Sequence, residues 1–171
     1  REEFIDTAEL DLPQVPPNQL DIKAEKLYAL QQLTKNCQKC SLFYTRKHVV
    51  FGRGDAKGCI MFVGGYPSEI DDFSDMLYNG KEGELLNRII KAMQVSLSEI
   101  FITTAVKCHP PGLTKPREEE IQACIPYLKS QIEIIQPDII VTLGDISYTA
   151  LTQNRAKIFS QREHWEVYQG I

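Results

Sequence analysis

The sequence predicts an α/β protein whose core is a parallel sheet. Three short apolar runs, 59–63, 100–106 and 138–144, have the length and composition of buried strands. Helical patterns separate them, and this alternation is typical of parallel strands joined by crossover helices. The first run leads into Gly64-Gly65, and α/β sheets bind ligands beside the carboxyl ends of their strands.

The helices are predicted from apolar spacing and from their ends. Asp21 is a suitable N-cap for a helix that continues to the first cysteine pair. Residues 83–94 place their apolar side chains on one face, and a longer helix begins at Pro116 with glutamates in its first turn. A short helix is expected from Asp145, and residues 164–171 alternate like an edge strand.

Composition predicts one domain preceded by a tail. Residues 1–20 are acidic and contain prolines, so we expect a tail or linker there and the folded domain at 21–171. The chain is 43% hydrophobic, and no apolar run approaches the roughly 18 residues of a membrane span. Five cysteines without a secretory signal favour a reducing compartment. We therefore expect a cytoplasmic monomer with no membrane partner.

Charge alone does not identify the partner. The net charge is −4, and the excess of acidic residues lies in the first 30 residues, so the body is balanced. Binding to nucleic acid would need a local basic face. Arg46, Lys47, His48 and Arg53 form the most basic stretch, with aromatic residues between them. This mixture suits contact with phosphates and bases, although a solvated basic loop would have the same composition.

Four cysteines form the clearest candidate ligand set. Cys37 and Cys40 make a CxxC pair, and Cys108 and Cys124 lie far downstream. Four thiolates are the ligands of structural zinc and of iron–sulfur clusters, and the spacing leaves both open. The fifth cysteine, Cys59, lies within the first apolar run, so we expect it to be a core thiol.

Several longer motifs extend this pattern. They are Cys37-x-x-Cys40 followed by Gly52-x-Gly54, Phe62-Val63-Gly64-x-x-Pro67, Gly80-x-x-Gly83-Glu84-Leu85-Leu86, Val106-Lys107-Cys108-x-Pro110-Pro111, Cys124-x-x-Tyr127-Leu128, and Pro137-Asp138-Ile139-Ile140-Val141-x-Leu143-Gly144. From about residue 35 to residue 152, the chain resembles the iron–sulfur (family 4) branch of the uracil-DNA glycosylase superfamily.

The resemblance implies a fold, a cofactor and a substrate. The fold is a three-layer α/β/α sandwich around a central parallel sheet. The cofactor is a [4Fe-4S] cluster on Cys37, Cys40, Cys108 and Cys124, with zinc as the alternative. The substrate is a base flipped out of single- or double-stranded DNA.

The expected base-binding residues are Gly65, Tyr66, Pro67, Tyr78 and Thr104, and most of them depart from the family pattern. Gly65 stands where the family has its catalytic carboxylate, and glycine cannot act as a base. Tyr66 replaces a small residue that lines the pocket floor. Tyr78 replaces a stacking phenylalanine, and Thr104 replaces the asparagine that reads the uracil edge. A hydroxyl lacks the paired donor and acceptor of that amide.

Two other features of the family chemistry are its acidic pair and its C-terminal motif. Asp71 and Asp72 match its acidic pair and are the candidates to substitute for the missing carboxylate, although surface acids on a solvated loop would explain them as well. The family's C-terminal strand and His-Pro-Ser motif have no counterpart up to Ile171.

These observations leave two main functional hypotheses. The first is a DNA repair glycosylase that hydrolyses the N-glycosidic bond of a flipped-out base. The second is a catalytically degenerate relative that binds nucleic acid or senses damage and keeps the cluster as a structural element. A zinc-stabilised protein–protein module is the third.

Overall fold

The computed structural model describes residues 22–154 and 165–171. The tail expected at 1–20 and the domain boundary at Asp21 lie outside the described residues. The helices are α1 (Ile22–Lys35), α2 (Glu69–Ser74), α3 (Lys81–Ala92), α4 (Glu118–Ile135) and α5 (Asp145–Thr152). The strands are β1 (Arg53–Gly54), β2 (Ile60–Gly64), β3 (Ile100–Thr104) and β4 (Ile139–Leu143).

Within the described residues, the strands form one sheet in the order β1-β3-β2-β4. Strand β2 pairs in parallel with both β3 and β4, so the predicted parallel core is confirmed. The sheet is nevertheless mixed, because the two-residue strand β1 pairs antiparallel with β3. The register sets Gly64 opposite both Thr104 and Leu143, so the carboxyl ends of the three parallel strands lie at one edge.

The strand side chains alternate between two helical layers. On one face, Met61, Val63 and Phe101 pack in the main core, to which α1, α4 and α5 contribute. On the other face, Phe62, Ile100 and Ile102 pack against α3. This is the expected three-layer α/β/α arrangement, which places the sheet edge with Gly64 between two layers of helices.

The contact between α1 and α4 brings distant parts of the chain together. Leu30 of α1 and Leu128 of α4 are fully buried in the same core. The Lys23 ammonium donates to the Ile135 carbonyl at 2.8 Å, at the carboxyl end of α4. As α1 ends just before Cys37, its packing on α4 carries the CxxC pair towards Cys124.

The last described segment, 165–171, is a turn and not the predicted edge strand. Tyr168 and Ile171 exchange both of their backbone hydrogen bonds, each at 2.9 Å. Trp165 and Val167 are exposed, so no strand among the described residues covers the alternating pattern. Among the described helices, none combines the length and hydropathy that a bilayer crossing requires.

Candidate functional site

The four cysteines predicted as ligands line a single pocket. Cys37 and Cys40 follow α1, Cys108 follows β3, and Cys124 lies in the second turn of α4. Ser41 anchors the CxxC pair to the start of α4, because its hydroxyl donates to the buried Glu120 carboxylate at 2.6 Å. The remaining lining residues are Lys39, Arg46, Val49, Val106, Lys107, Ala123 and Tyr127.

Three hydrogen-bond donors point at the sulfur atoms of this pocket. The Arg46 guanidinium donates to Cys108 Sγ at 3.4 Å, the Tyr127 hydroxyl to Cys37 Sγ at 3.3 Å, and the Lys107 backbone N–H to Cys124 Sγ at 3.3 Å. Such donors stabilise thiolates, which are the metal-binding form of cysteine. The donor set therefore fits a thiophilic metal or an iron–sulfur cluster.

The pocket geometry alone does not define a metal site. Across residues 22–154 and 165–171, no group of three or more His, Cys, Asp or Glu side chains is arranged so that it could hold a metal ion. Burial raises the pKa of Cys108 to about 12 and that of Cys124 to about 11, although Arg46 and Lys107 respectively oppose these shifts. Burial therefore disfavours the thiolate form of Cys108 and Cys124, and a positive centre beside them would favour it.

Cys59 lies outside this pocket. It is half-buried just before β2, and its thiol approaches the Glu99 carbonyl at 3.7 Å. The sequence prediction of a core thiol is therefore only partly right, since its side chain is not enclosed.

A buried lysine lies between the cysteines and the sheet edge. The Lys107 ammonium is almost completely buried and donates to Thr103 Oγ1, the Thr104 carbonyl and Gln131 Oε1, each at 2.6 Å. Burial lowers the pKa of Lys107 to about 7, whereas the nearby Cys124 and Cys108 raise it. Gln131 also donates to the Phe51 carbonyl at 2.9 Å, so this network fixes the loop that carries the cysteines to the sheet.

Two of the predicted base-binding residues, Tyr78 and Thr104, lie together at the end of β2. A Cβ on Gly64 would collide with the Tyr78 hydroxyl and would lie 3.3 Å from the Thr104 methyl group. The side chains of Tyr78 and Thr104 therefore both lie against Gly64, which has no side chain of its own. Thr104 Oγ1 is buried and has no hydrogen-bond partner among the residues that the structure describes, and such an atom is costly to leave unsatisfied.

The next three residues of the chain contact different parts of the structure. They are Gly65, Tyr66 and Pro67. A Cβ on Gly65 would face Ile146 of α5, with its nearest atom at 3.3 Å. Tyr66 is half-buried and packs against the main core. The Pro67 carbonyl accepts a hydrogen bond from His109 Nδ1 at 2.9 Å. Sequence reasoning missed His109, whose position directly after Cys108 was the available signal.

Comparisons with known proteins agree with this geometry. The family model for the uracil DNA glycosylase superfamily matches residues 51–169. The chain is also 40% identical to the type-4 uracil-DNA glycosylase of Saccharolobus solfataricus over 142 residues, 78% of this chain. The chain belongs to the uracil-DNA glycosylase superfamily. The resemblance inferred from the sequence motifs is thereby confirmed.

Two further type-4 relatives support the same placement within the superfamily. The chain is 41% identical to the Pyrobaculum aerophilum protein over 74% of its length, and 40% identical to the Sulfurisphaera tokodaii protein over 80%. The matches cover 66%, 65% and 62% of the three relatives. The chain thus spans just under two thirds of the length of the curated relatives it matches.

In this uracil-DNA glycosylase homologue, Asp71 and Asp72 are buried, so the alternative that placed them on a solvated loop is wrong. Asp71 forms a capping box with Ser68 and accepts the Asn79 backbone N–H at 2.9 Å. Asp72 accepts the backbone N–H groups of Lys47 and His48 at 2.9–3.0 Å. Both carboxylates therefore hold backbone segments close to the predicted base-binding residues.

The four basic residues predicted to bind DNA do not share one surface. Arg46 is directed into the cysteine pocket, and the Arg53 Nε–H donates to the Leu77 carbonyl at 2.9 Å. Lys47 and His48 are exposed. The Lys47 ammonium lies 3.2 Å from the centre of the Phe73 ring, which is itself exposed. The accessible part of the predicted DNA surface is therefore the pair Lys47–His48, with Phe73 beside it.

Proposed function

We propose that this protein is a DNA repair glycosylase that hydrolyses the N-glycosidic bond of uracil flipped out of DNA. The observation that carries the proposal is the meeting of Tyr78 and Thr104 at Gly64, at the carboxyl ends of two parallel strands. Ligands bind at this edge in α/β sheets. The unsatisfied Thr104 hydroxyl gives a base edge a buried partner, and the Tyr78 ring gives it a face for stacking.

The reaction sets the requirements for this site. Hydrolysis breaks the bond between C1′ and the base nitrogen, and the base leaves with the electron pair and takes up a proton. The oxygen of water forms the new bond to C1′. Charge develops on both the sugar and the leaving base, so fixed dipoles and charges near each are needed. In this proposal, Thr104 hydrogen-bonds the base, and the backbone that Asp71 anchors keeps Tyr78 in position.

We further propose that Cys37, Cys40, Cys108 and Cys124 hold a [4Fe-4S] cluster, with zinc as the alternative. When bound, the cluster would cross-link the end of α1 to β3 and α4, a structural contribution that needs no redox change. The four thiols in one pocket and the donors directed at three of them support this assignment.

For DNA contact, we propose the surface formed by Lys47, His48 and Phe73. A cation and an exposed aromatic ring together suit a phosphate and an unstacked base, as in single-strand binding proteins. This surface is tied to α2, and α2 directly follows the Gly64–Pro67 loop at the base site. The boundaries of the domain, its monomeric state and its cytoplasmic location remain predictions.

A second function is favoured by one specific observation. Gly65 provides no side chain where a glycosylase of this type would hold its catalytic carboxylate, and Asp71 and Asp72 are engaged with backbone N–H groups. A protein with this site could bind a flipped or damaged base without cleaving it. The two functions make opposite predictions for product release.

Uracil release from single-stranded and mismatched duplex oligonucleotides separates them. The protein is purified anaerobically and its iron is measured, and a Tyr78→Ala preparation made in parallel controls for contaminating glycosylase. Uracil release above that control supports the glycosylase. Binding without release, by protein that holds iron, supports the non-catalytic module. Absence of both binding and release contradicts the two proposals.

A further inference from the structure

Arg46 bridges the two chain segments that bring the cysteines together. Its Nη1–H donates to Cys108 Sγ at 3.4 Å, and its Nη2–H donates to the Cys37 carbonyl at 2.6 Å. The guanidinium is half-buried and lines the cysteine pocket. Its two contacts use the planar, forked arrangement of donors that distinguishes arginine from lysine. The side chain is therefore held at the cysteines by two hydrogen bonds.

The charges around the pocket indicate what the contact between Arg46 and the cysteines does. Zinc, or a cluster with two positive charges, carries a net double negative charge once four thiolates bind it. Among the described residues, the pocket lining includes Lys39, Arg46 and Lys107 but no acidic residue. Glu120, which accepts a hydrogen bond from Ser41 beside the CxxC pair, is paired with Arg117 at 3.0 Å. The lining is therefore complementary to an anionic metal centre.

Of these cations, Arg46 is the one whose side chain bonds to a cysteine sulfur in the contacts described above. The Lys107 ammonium is engaged by three oxygen atoms, so its charge acts on the thiolates through space. Tyr127 adds a neutral donor on Cys37. A charged donor contributes more than a neutral one, which predicts a larger effect for Arg46 than for Tyr127.

We propose that Arg46 is the charge partner of the four-cysteine centre and governs how firmly the centre retains its metal, a role that replaces the DNA contact expected from the sequence. The inference rests on the proposed metal centre, but it holds for either metal because the charge of the centre is the same. Arg46 is a positioning residue that acts through Cys108 and Cys37.

Arg46→Gln, Arg46→Lys and Tyr127→Phe variants of the full chain test this proposal. Arg53→Gln is the matched control, since Arg53 belongs to the same basic stretch but donates to the Leu77 carbonyl. Iron, sulfide and zinc per chain are measured after anaerobic purification. The rate of metal loss to excess chelator is then followed by absorbance, the reduction potential by voltammetry, and DNA affinity by fluorescence anisotropy.

We expect Arg46→Gln to lose metal about tenfold faster than the wild type, because a hydrogen bond to a charged group commonly contributes at least that factor. Arg46→Lys and Tyr127→Phe should lie between this variant and the wild type, and Arg53→Gln should match the wild type. If iron is present, the potential of Arg46→Gln should fall, since removal of a positive charge disfavours the reduced, more negative cluster.

Three outcomes decide the proposal. Unchanged metal retention in folded Arg46→Gln overturns it, whether or not DNA affinity falls. If Arg46→Gln does not fold, metal loss from Arg46→Lys that is no faster than from the wild type overturns it. If the wild type holds zinc instead of iron, faster zinc release from Arg46→Gln still supports the role of Arg46, whereas the proposed cluster fails. Uracil release is scored separately, so the glycosylase proposal can fail without affecting this result.

Discussion

Asp72 and His48 are joined by two hydrogen bonds that run in opposite directions. The Asp72 carboxylate accepts the His48 backbone N–H at 2.9 Å, and the His48 ring donates from Nδ1 to the Asp72 carbonyl at 2.6 Å. These two hydrogen bonds attach the loop that carries His48 to α2, although His48 and Asp72 are more than 20 residues apart in the sequence. The ring tautomer follows from the partner, because a carbonyl oxygen can only accept.

Asp72→Asn should therefore loosen the proposed DNA surface. An amide has one acceptor oxygen for the two backbone N–H groups and turns its own N–H donors towards one of them. We expect the free energy of unfolding to fall by about 1–3 kcal/mol and DNA affinity to fall with it. Asp75→Asn is the matched control, because Asp75 is exposed and its left-handed backbone suits asparagine. Equal stability of the two variants, by denaturant titration, would contradict this reading.

Gly64→Ala should destabilise the protein, and loss of the Tyr78 hydroxyl should relieve part of the effect. The added methyl group would collide with that hydroxyl at a buried backbone position. We expect a loss of about 1–3 kcal/mol from overpacking, and a smaller combined loss in Gly64→Ala/Tyr78→Phe than the sum of the single variants. A double-mutant cycle measured by urea unfolding gives the coupling. Strict additivity would show that Tyr78 does not occupy this space.

Gly65→Glu should raise uracil release if the missing carboxylate is what limits catalysis. The backbone of Gly65 is compatible with a side chain, and Ile146 must move by a few tenths of an ångström to admit one. General base catalysis contributes roughly 10²–10⁴-fold, so a gain of about 10² is expected. Gly65→Gln has nearly the same shape without the charge and should show no gain. Equal rates for the two variants would exclude a charge effect at this position.

Cys124→Ser and Cys59→Ser should differ sharply in metal content and stability. Cys124 lines the pocket, whereas Cys59 lies outside it and contacts the Glu99 carbonyl. Loss of a cross-link that closes a loop of about 70 residues is expected to cost about 4 kcal/mol. Cys124→Ser should therefore lose iron and unfold at lower denaturant concentration, while Cys59→Ser should keep both properties. Metal loss from Cys59→Ser would mean that the ligand set is assigned wrongly.

Tyr78 should make stability depend on pH in the alkaline range. Burial, with Asp71 and Glu82 nearby, raises the pKa of Tyr78 to about 12 from an ordinary value near 10. The folded state then keeps a proton that the unfolded state releases, so stability is present below about pH 10 and is lost as the pH rises towards about 12. Tyr78→Phe should show a shallower loss over this window when both proteins are unfolded by denaturant. Parallel profiles would contradict the raised pKa.

The sequence was sufficient for the elements whose pattern is local. The three apolar runs correspond to β2, β3 and β4. The four cysteines line one pocket, as predicted, and this was predictable because their motif is specific. Strand β1 was missed because its two residues pair with β3 only through the tertiary fold. Residue type likewise could not indicate where a charged side chain points. Arg46 lies in a basic stretch, yet its guanidinium donates to a cysteine sulfur. Asp72 lies in an acidic stretch, yet its carboxylate is buried and accepts backbone N–H groups.

The backbone hydrogen bonds of Lys47, His48 and Val50 also allow the contacts of their loop to be followed by hydrogen exchange. The Lys47 and His48 amides are bound to α2, and the Val50 N–H donates at 2.8 Å to the carbonyl of Lys107, beside the cysteines. Each amide is protected from solvent exchange only while its partner remains in place. Deuterium uptake at these three amides would therefore show separately when the loop detaches from α2 and when it detaches from the segment beside the cysteines, in a single experiment without a substitution.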